Sequence, residues 1–191
     1  MTSKLLLLLG PTGVGKTTVL VALKKKDERF VYASPFITRP LRQGETDKIA
    51  VSEAKLEELW REGQLLAVNE LYGVRYGTPR GVIERALSSE LFPVLDWPIS
   101  RLSVMESAFP NRLFRVYIEP RSPQELEDRL TARGDDRSAQ RLAAALDELR
   151  ALSAGDYDTL IDYRVVNETG RTQETANSIY QNYLNAVFDD V

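Results

Sequence analysis

The 191-residue sequence predicts an α/β fold in which helices flank a parallel central sheet. Short, fully apolar runs alternate with segments of helical period, and the first apolar run leads directly into a glycine-rich loop. Strands of a parallel sheet are buried on both faces, so they are expected to be apolar throughout. No linker divides the pattern into two cores, and we expect one domain over residues 1–191.

Each element follows from its local pattern. Apolar runs bounded by turns predict strands over residues 5–9, 30–33, 65–68, 74–76, 91–95, 113–118 and 161–166. Apolar residues three and four apart predict helices over residues 16–25, 99–108, 122–134, 141–152 and 172–188. Two further helices are located by their first residues, because Ser52 is a typical N-cap and Thr78-Pro79 offers a cap followed by proline at the first helical position. The strands on either side of Gly73 form a predicted hairpin.

The glycine-rich loop reads Gly-Pro-Thr-Gly-Val-Gly-Lys-Thr over residues 10–17. This phosphate-binding pattern lies between a buried strand and a helix, which disfavours the alternative of a glycine-rich turn that binds nothing. Main-chain N–H groups at the start of the helix cradle phosphates. Lys16 can reach the β- and γ-phosphates of ATP, and the Thr17 hydroxyl can ligate Mg²⁺. Nucleotide contacts are therefore predicted at Gly10, Thr12, Gly13, Val14, Gly15, Lys16, Thr17 and Thr18.

Composition excludes several classes of chemistry. The chain has no Cys and no His, which excludes thiolate nucleophiles, a Ser-His-Asp triad and zinc sites built from Cys or His. A net charge of −3 gives no overall basic field, so we expect neither nucleic acid nor a membrane as a partner. The first apolar run is too short to span a bilayer, and no signal-peptide cleavage pattern follows it, which predicts a cytoplasmic protein. Catalysis must then depend on Lys, Arg, carboxylates, hydroxyls or a metal held by oxygen.

Two segments in the first half of the chain can bind a polar or anionic substrate. Arg39 and Arg42 lie three residues apart across a proline, and both guanidinium groups can converge on one phosphate. The alternative is a solvated turn with an ordinary charge pair. Tyr76 and Thr78 combine hydroxyl groups with glycine turns, the alternative being a hairpin followed by a helix cap.

Two further sets of charges can assist the transfer of a phosphoryl group. Arg133, Arg137 and Arg141 follow or lie within a Gly-Asp-Asp loop between two helices. A mobile lid that carries arginines suits phosphoryl transfer, although an ordinary helix hairpin with surface ion pairs is the alternative. Asp96 ends an apolar strand, where it can face the phosphate loop and hold Mg²⁺, or instead cap the next helix.

Taken together, the motifs resemble those of the guanylate kinase family, in the same order. They are G-P-T-G-V-G-K-T-T (residues 10–18), T-R-P-L-R-Q-G-E (38–45), Y-G-T-P (76–79), V-L-D (94–96), R-L-T-A-R-G (129–134), R-L-A-A-A (141–145) and V-V-N-E (165–168). The resemblance implies a P-loop NTPase with a three-layer α/β/α fold, an acceptor-binding insertion and a short helical lid. The implied core is residues 1–34, 77–132 and 142–191, with the insertion at 35–76 and the lid at 133–141.

The resemblance also assigns roles to the candidate residues. Lys16 and Thr17 match the residues that hold ATP and Mg²⁺. Arg39, Arg42 and Tyr76 match the clamp on the acceptor phosphate, and Thr78 matches a hydroxyl that contacts the guanine. Asp96 matches the first Asp of L-D-x-D, and Arg133 and Arg141 match lid arginines. Asn167 lies where the family contacts the adenine side.

The chain departs from the family at the positions that read the base. The Glu of the family's F-x-E-W-A pattern is Ala67 here, and Glu70 is the nearest carboxylate, which we include among the predicted substrate contacts. Pro35 stands where a base-contacting Ser is expected, and Pro98 stands at the second Asp of L-D-x-D. A site that loses such hydrogen-bond partners discriminates poorly between bases.

The sequence therefore predicts ATP- and Mg²⁺-dependent phosphoryl transfer to a phosphate-bearing small molecule, with GMP as the leading acceptor. The segment around residues 49–52 and 65–67 also resembles the ribose bisphosphate phosphokinases, so ribose 1,5-bisphosphate is an alternative acceptor. A non-catalytic, guanylate-kinase-like interaction module is a third possibility, which the complete phosphate loop disfavours. The oligomeric state and the choice between ATP and GTP as donor stay open.

Overall fold

The computed structural model describes residues 3–132 and 138–188. Its strands are β1 (Leu5–Leu9), β2 (Phe30–Tyr32), β3 (Phe36–Ile37), β4 (Ile49–Ala50), β5 (Leu65–Leu71), β6 (Val74–Pro79), β7 (Phe92–Asp96), β8 (Leu113–Glu119) and β9 (Tyr163–Val166). Its α-helices are α1 (Lys16–Lys26), α2 (Glu53–Arg61), α3 (Arg80–Leu87), α4 (Leu102–Ala108), α5 (Pro123–Ala132), α6 (Ser138–Ser153) and α7 (Thr172–Phe188). In these two ranges, none of the helices has the length and apolarity to cross a membrane.

The central sheet is parallel, as the sequence predicts, and its five strands lie in the order β2-β7-β1-β8-β9. β1 lies in the middle, and all five of its leucines are buried because both faces of the sheet are covered. Leu6 and Leu8 pack in the core that α1 and α7 cover, whereas Leu5, Leu7 and Leu9 pack in the core that includes residues of α3 and α4. The predicted three-layer α/β/α arrangement is thereby confirmed.

A second sheet of four strands, in the order β4-β3-β6-β5, is built from residues 36–79. β5 and β6 are antiparallel, and their register places Ala67 opposite Thr78 and Asn69 opposite Tyr76. α2 packs Leu56 and Leu59 against Leu65 of this sheet in a small core of its own.

The local sequence patterns predicted the helices and strands correctly in most places, but they predicted the ends of these elements less accurately. Ser52 caps α2 as predicted, since its side chain accepts a hydrogen bond from Lys55 N at 3.1 Å. Thr78 does not cap a helix: it lies inside β6, and α3 begins at Arg80 after Pro79. The strands of the hairpin are longer than predicted because Leu71 pairs with Val74, leaving only a two-residue turn. Both turn residues have the positive φ that such hairpin turns require.

Candidate active site

The glycine-rich loop joins the carboxyl end of β1 to the first turn of α1. Gly15 ends the loop with φ at 99°, in the left-handed region that favours glycine. Lys16, the first residue of α1, folds its side chain back over the loop, and its Nζ donates to the carbonyls of Gly10 at 2.5 Å and Pro11 at 2.9 Å. This arrangement places a positive charge beside the N–H groups of a helix terminus, which is the geometry that binds phosphate.

The back of the loop is held by residues from the second half of the chain. The side-chain Nδ2 of the buried Asn167 donates to the Val14 carbonyl at 2.8 Å, and Arg129 donates to the same carbonyl at 3.0 Å. Arg129 also donates to the Asn167 carbonyl at 2.8 Å, which ties the two anchors together. The Val14 side chain is buried in the core, so only the main-chain atoms of Val14 can contact a nucleotide.

Gly15 leaves room for Asn167, which gives a testable prediction. A Cβ on residue 15 would lie 2.4 Å from Asn167 Nδ2. We expect Gly15→Ala to disturb this anchor and abolish stabilisation by ATP, which in the wild type should reach about 2.7 kcal/mol at roughly 100 times the Kd. Thermal unfolding with and without ATP measures the difference.

Gly63→Ala is the matched control for that experiment. Its φ of 69° imposes the same kind of backbone strain, but a Cβ there meets no heavy atom within 4 Å. We expect a loss of about 1 kcal/mol of stability with the ATP effect intact. A full ATP shift in Gly15→Ala would contradict the proposed role of the close contact with Asn167.

One cleft of about 1080 Å³ runs between the phosphate loop and the second sheet. Its walls bring together most of the residues that the sequence predicts to contact the substrates. These are Gly10, Thr12, Gly13, Gly15, Lys16, Thr17, Thr18, Arg39, Arg42, Tyr76, Thr78, Asp96, Arg141 and Asn167. Residues predicted to serve the donor and residues predicted to serve the acceptor therefore share a single cavity.

Arg39 lies in the cleft wall with its charge balanced by Glu45. Its guanidinium forms two hydrogen bonds to the Glu45 carboxylate, at 2.6 and 2.8 Å. Together with the Arg42 N–H at 3.0 Å and the ammonium of Lys48 at 3.6 Å, Arg39 lowers the pKa of Glu45 to about 2, against the opposing effect of burial. The Tyr76 hydroxyl lies close enough to help raise the pKa of Arg39.

Asp96 lies half-buried at the end of β7, paired in register with Leu8 of β1. Its carboxylate accepts a hydrogen bond from the Tyr32 hydroxyl, and burial, followed by the charge of Asp96, raises the pKa of Tyr32 well above its ordinary value. Asp96 does not cap the next helical turn, which begins at Ile99 after Pro98 without a side-chain cap. Tyr32 has no motif of its own, and only the pairing of β2 with β7 brings it to Asp96.

Thr17 and Asp96 offer one hydroxyl and one carboxylate oxygen to the same cleft. These are the hard oxygen donors that Mg²⁺ prefers, and Mg²⁺ commonly keeps several waters and phosphate oxygens as its other ligands. Across residues 3–132 and 138–188 there is no group of three or more acidic side chains that would form a complete protein cage. The donor set fits an ion held partly by the substrate.

The arginines of the predicted lid have different positions. Arg141, in the first turns of α6, is buried, lines the cleft and packs over the Tyr72 ring at 5.2 Å from its centroid. Arg133 and Arg137 lie outside the described residues. Arg129, which sequence reasoning did not assign to the site, also lines the cleft.

The positions around the predicted base site need one correction. Glu70, predicted as a substrate contact, is exposed and absent from the cleft wall, because alternation along β5 turns it away from the face of Asn69. Asn69 lines the cleft instead and is only 5 % exposed. Its Oδ1 is buried without a hydrogen-bond partner among the described residues, which is costly by about 1–3 kcal/mol. Pro35, Pro98 and Thr78 line the same cleft, whereas Ala67 does not.

A parallel sheet with this loop at the carboxyl edge of its middle strand defines the class of P-loop nucleotide-binding proteins. Comparison with known sequences specifies the relationship further: a family model described as guanylate kinase matches residues 2–179. The chain belongs to the guanylate kinase family, and the resemblance derived from the motifs is confirmed.

Individual relatives agree with this assignment. The guanylate kinase of Nostoc sp. (strain PCC 7120 / SAG 25.82 / UTEX 2576) is 34% identical over 168 residues, which cover 85% of this chain and 84% of the relative. The guanylate kinase of Streptococcus thermophilus (strain CNRZ 1066) is 34% identical over 160 residues, covering 80% and 76%.

Two solved structures share the fold. The crystal structure of guanylate kinase from Anaplasma phagocytophilum has a TM-score of 0.75 at 24% identity, covering 96% of this chain and 85% of that chain. Shikimate kinase from Acinetobacter baumannii, in complex with shikimate, has a TM-score of 0.53 at 19% identity, covering 98% and 96%. The P-loop kinase fold predicted from the sequence is thereby confirmed.

Proposed function

We propose that this protein transfers the γ-phosphoryl group of ATP to GMP, in the presence of Mg²⁺, to give ADP and GDP. The observation that carries the proposal is the single cleft that holds the phosphate loop with Lys16 on one side and Arg39, Arg42 and Tyr76 on the other. Both substrates are anions, and a site with cationic groups on two facing walls suits them. Relatives named guanylate kinases at 34% identity support GMP as the acceptor.

In this proposal the loop binds the triphosphate of ATP. The N–H groups of the glycine-rich loop and of the first turn of α1 surround the phosphates, and Lys16 exchanges its two carbonyl contacts for the β- and γ-phosphate oxygens. Asn167 lies on the donor side, where its buried Oδ1 has no hydrogen-bond partner among the described groups. Its free acceptor fits an N–H group of the nucleotide.

Thr17 and Asp96 would hold Mg²⁺, which when bound neutralises charge on the phosphates. The hydrogen bond from Tyr32 fixes the orientation of the Asp96 carboxylate. Because residues 3–132 and 138–188 contain no cluster of three or more acidic side chains that could hold a metal ion, we assign the other ligand places to water and phosphate.

Arg39, Arg42 and Tyr76 hold the acceptor phosphate in line with the γ-phosphate. An arginine fork matches the oxygens of a phosphate in two places, which fixes both distance and direction. The attacking oxygen belongs to a phosphate whose second pKa is near 6, so it is already ionised at neutral pH. No general base is required, which agrees with a chain that has no His.

Arg141 is placed to stabilise charge on the transferred group, since it is buried at the cleft and held over Tyr72. We keep Arg133 as a second lid arginine in the proposal. The division into core, insertion at residues 35–76 and lid at 133–141 is likewise part of the proposal, as is the cytoplasmic location.

The two alternatives are less well supported. Ribose 1,5-bisphosphate would use the same phosphate clamp, but the curated relatives quoted above are all named guanylate kinases. A non-catalytic interaction module does not need a phosphate loop, whereas here Lys16 and Thr17 both line the cleft.

ADP release measured against a panel of acceptors tests the proposal. We expect turnover with GMP and dGMP, and little with AMP, UMP or ribose 1,5-bisphosphate. ATP with Mg²⁺ should also raise the melting temperature, because a ligand that binds only the folded state stabilises it. ADP release driven by ribose 1,5-bisphosphate, or no thermal shift with ATP, would replace the proposal by the corresponding alternative.

A further inference from the structure

Within residues 3–132 and 138–188, four carboxylates line the cleft, and each of them has a partner. Asp96 accepts from Tyr32, and Glu148 accepts from the Tyr117 hydroxyl at 2.8 Å. Glu45 is paired with Arg39, and Asp47 with Lys48 at 2.7 Å. A base that enters the cleft therefore meets acidic groups already engaged in structural bonds.

Asn69 differs from those carboxylates. It is 5 % exposed, it lines the cleft, and its Oδ1 has no hydrogen-bond partner among the described residues. Directly opposite residues of an antiparallel pair project to the same face, with Cβ atoms about 4.5–5.5 Å apart. Asn69 is opposite Tyr76, so the free amide lies beside the clamp that receives the acceptor phosphate.

We infer that Asn69 is the residue that reads the acceptor base, and that it recognises the O6 and N1–H groups of a 6-oxopurine without reading the 2-amino group. This inference rests on the proposed function, since it presumes a purine nucleoside monophosphate as acceptor. It predicts that IMP, which lacks the 2-amino group, is a substrate comparable to GMP.

The chemistry of the amide carries the inference. A carboxylate has acceptors only, so it complements the two adjacent donors N1–H and N2–H of guanine. A carboxamide has one acceptor oxygen and one donor nitrogen on the same carbon, so it complements N1–H and O6 instead. Hypoxanthine and guanine share those two groups. A site discriminates strongly only against analogues that lack a group it binds, and the 2-amino group is not bound by Asn69.

Thr78 and Ala67 shape the same face of the hairpin. They are opposite each other in register, Thr78 is 2 % exposed at the cleft, and Ala67 has only a methyl group. Thr78 lines the cleft whereas Ala67 is packed in the core, and neither residue is a carboxylate that would bind the 2-amino group.

Steady-state kinetics with GMP and IMP test the inference. For the wild type we expect kcat/KM values for the two nucleotides within about tenfold of each other. Asn69→Leu, similar in size but without polar atoms, should lower kcat/KM for both by about 10- to 100-fold through KM, leaving the KM for ATP unchanged. Asn185→Leu is the matched control, since Asn185 is exposed on α7, and it should leave all values unchanged.

Asn69→Asp supplies a second readout that a purely structural role would not produce. A carboxylate at this position complements N1–H and N2–H, so the preference for GMP over IMP should increase about tenfold or more. A wild type that uses IMP worse than GMP by well over about tenfold, or an Asn69→Leu variant with wild-type KM for GMP, overturns the inference. A wild type without activity on GMP overturns the proposed function itself, so the two failures are distinguishable.

Discussion

Replacement of Lys16 by alanine is expected to lower turnover by roughly two orders of magnitude or more, the usual effect of losing one oriented donor to the transferred group. Lys16 lies at the start of α1 with its ammonium over the loop, where the triphosphate is proposed to bind. No other described lysine of α1 lines the cleft, so no neighbour on the helix can replace its charge. ADP release at saturating ATP and GMP measures the loss.

Two comparisons separate this effect from damage to the fold. Lys24→Ala removes an exposed lysine of the same helix and should leave turnover unchanged. Lys16→Met keeps much of the side-chain volume without the charge and should be as inactive as the alanine variant. Near-wild-type turnover in either Lys16 variant would remove this residue from the mechanism.

Replacement of Arg39 by alanine is expected to raise the KM for GMP by about 10- to 100-fold while the KM for ATP changes little, because charge-assisted hydrogen bonds contribute about 1.5–3 kcal/mol. The loss has two causes. The phosphate loses a guanidinium, and the Glu45 carboxylate loses its main partner and stays in the cleft as an anion whose remaining charge partner is Lys48, at 3.6 Å.

A double variant distinguishes the two causes. Arg39→Ala with Glu45→Gln removes the repulsive carboxylate together with its partner, and part of the lost GMP affinity should return. Arg75→Ala is the matched control: Arg75 lies in β6 and pairs with Glu53 and Glu57, but it does not line the cleft. Equal weakening of GMP and ATP in Arg39→Ala would mean that the clamp is assigned wrongly.

The sequence predicted the parts of this molecule whose causes are local. A run of five leucines predicts a strand that is buried on both faces, as β1 is. The glycine-rich loop is likewise recognised from its own residues. The hairpin around Gly73 was also predicted, but its length was not, because Tyr72 adopts a positive φ of 55° that a tyrosine rarely has. The two-residue strands β3 and β4 are too short to show any period.

The parts that were missed depend on register and on distant pairing. Whether Asn69 or Glu70 faces the cleft is decided by a single step along β5, and a polar stretch does not reveal which face is buried. Tyr32 and Asp96 are 64 residues apart, and their contact exists because β2 and β7 are neighbours in the sheet. Strand order of this kind is set by the whole fold rather than by any short pattern.

The Val14 carbonyl, held by Asn167 and Arg129, has a consequence for how the protein is made. Its two anchors lie 153 and 115 residues further along the chain, so the amino-terminal segment that encodes the loop is translated long before they are. A nascent chain that has emerged only to its midpoint lacks both anchors. Competence to sequester a nucleotide is therefore a property of the completed domain, acquired late in synthesis.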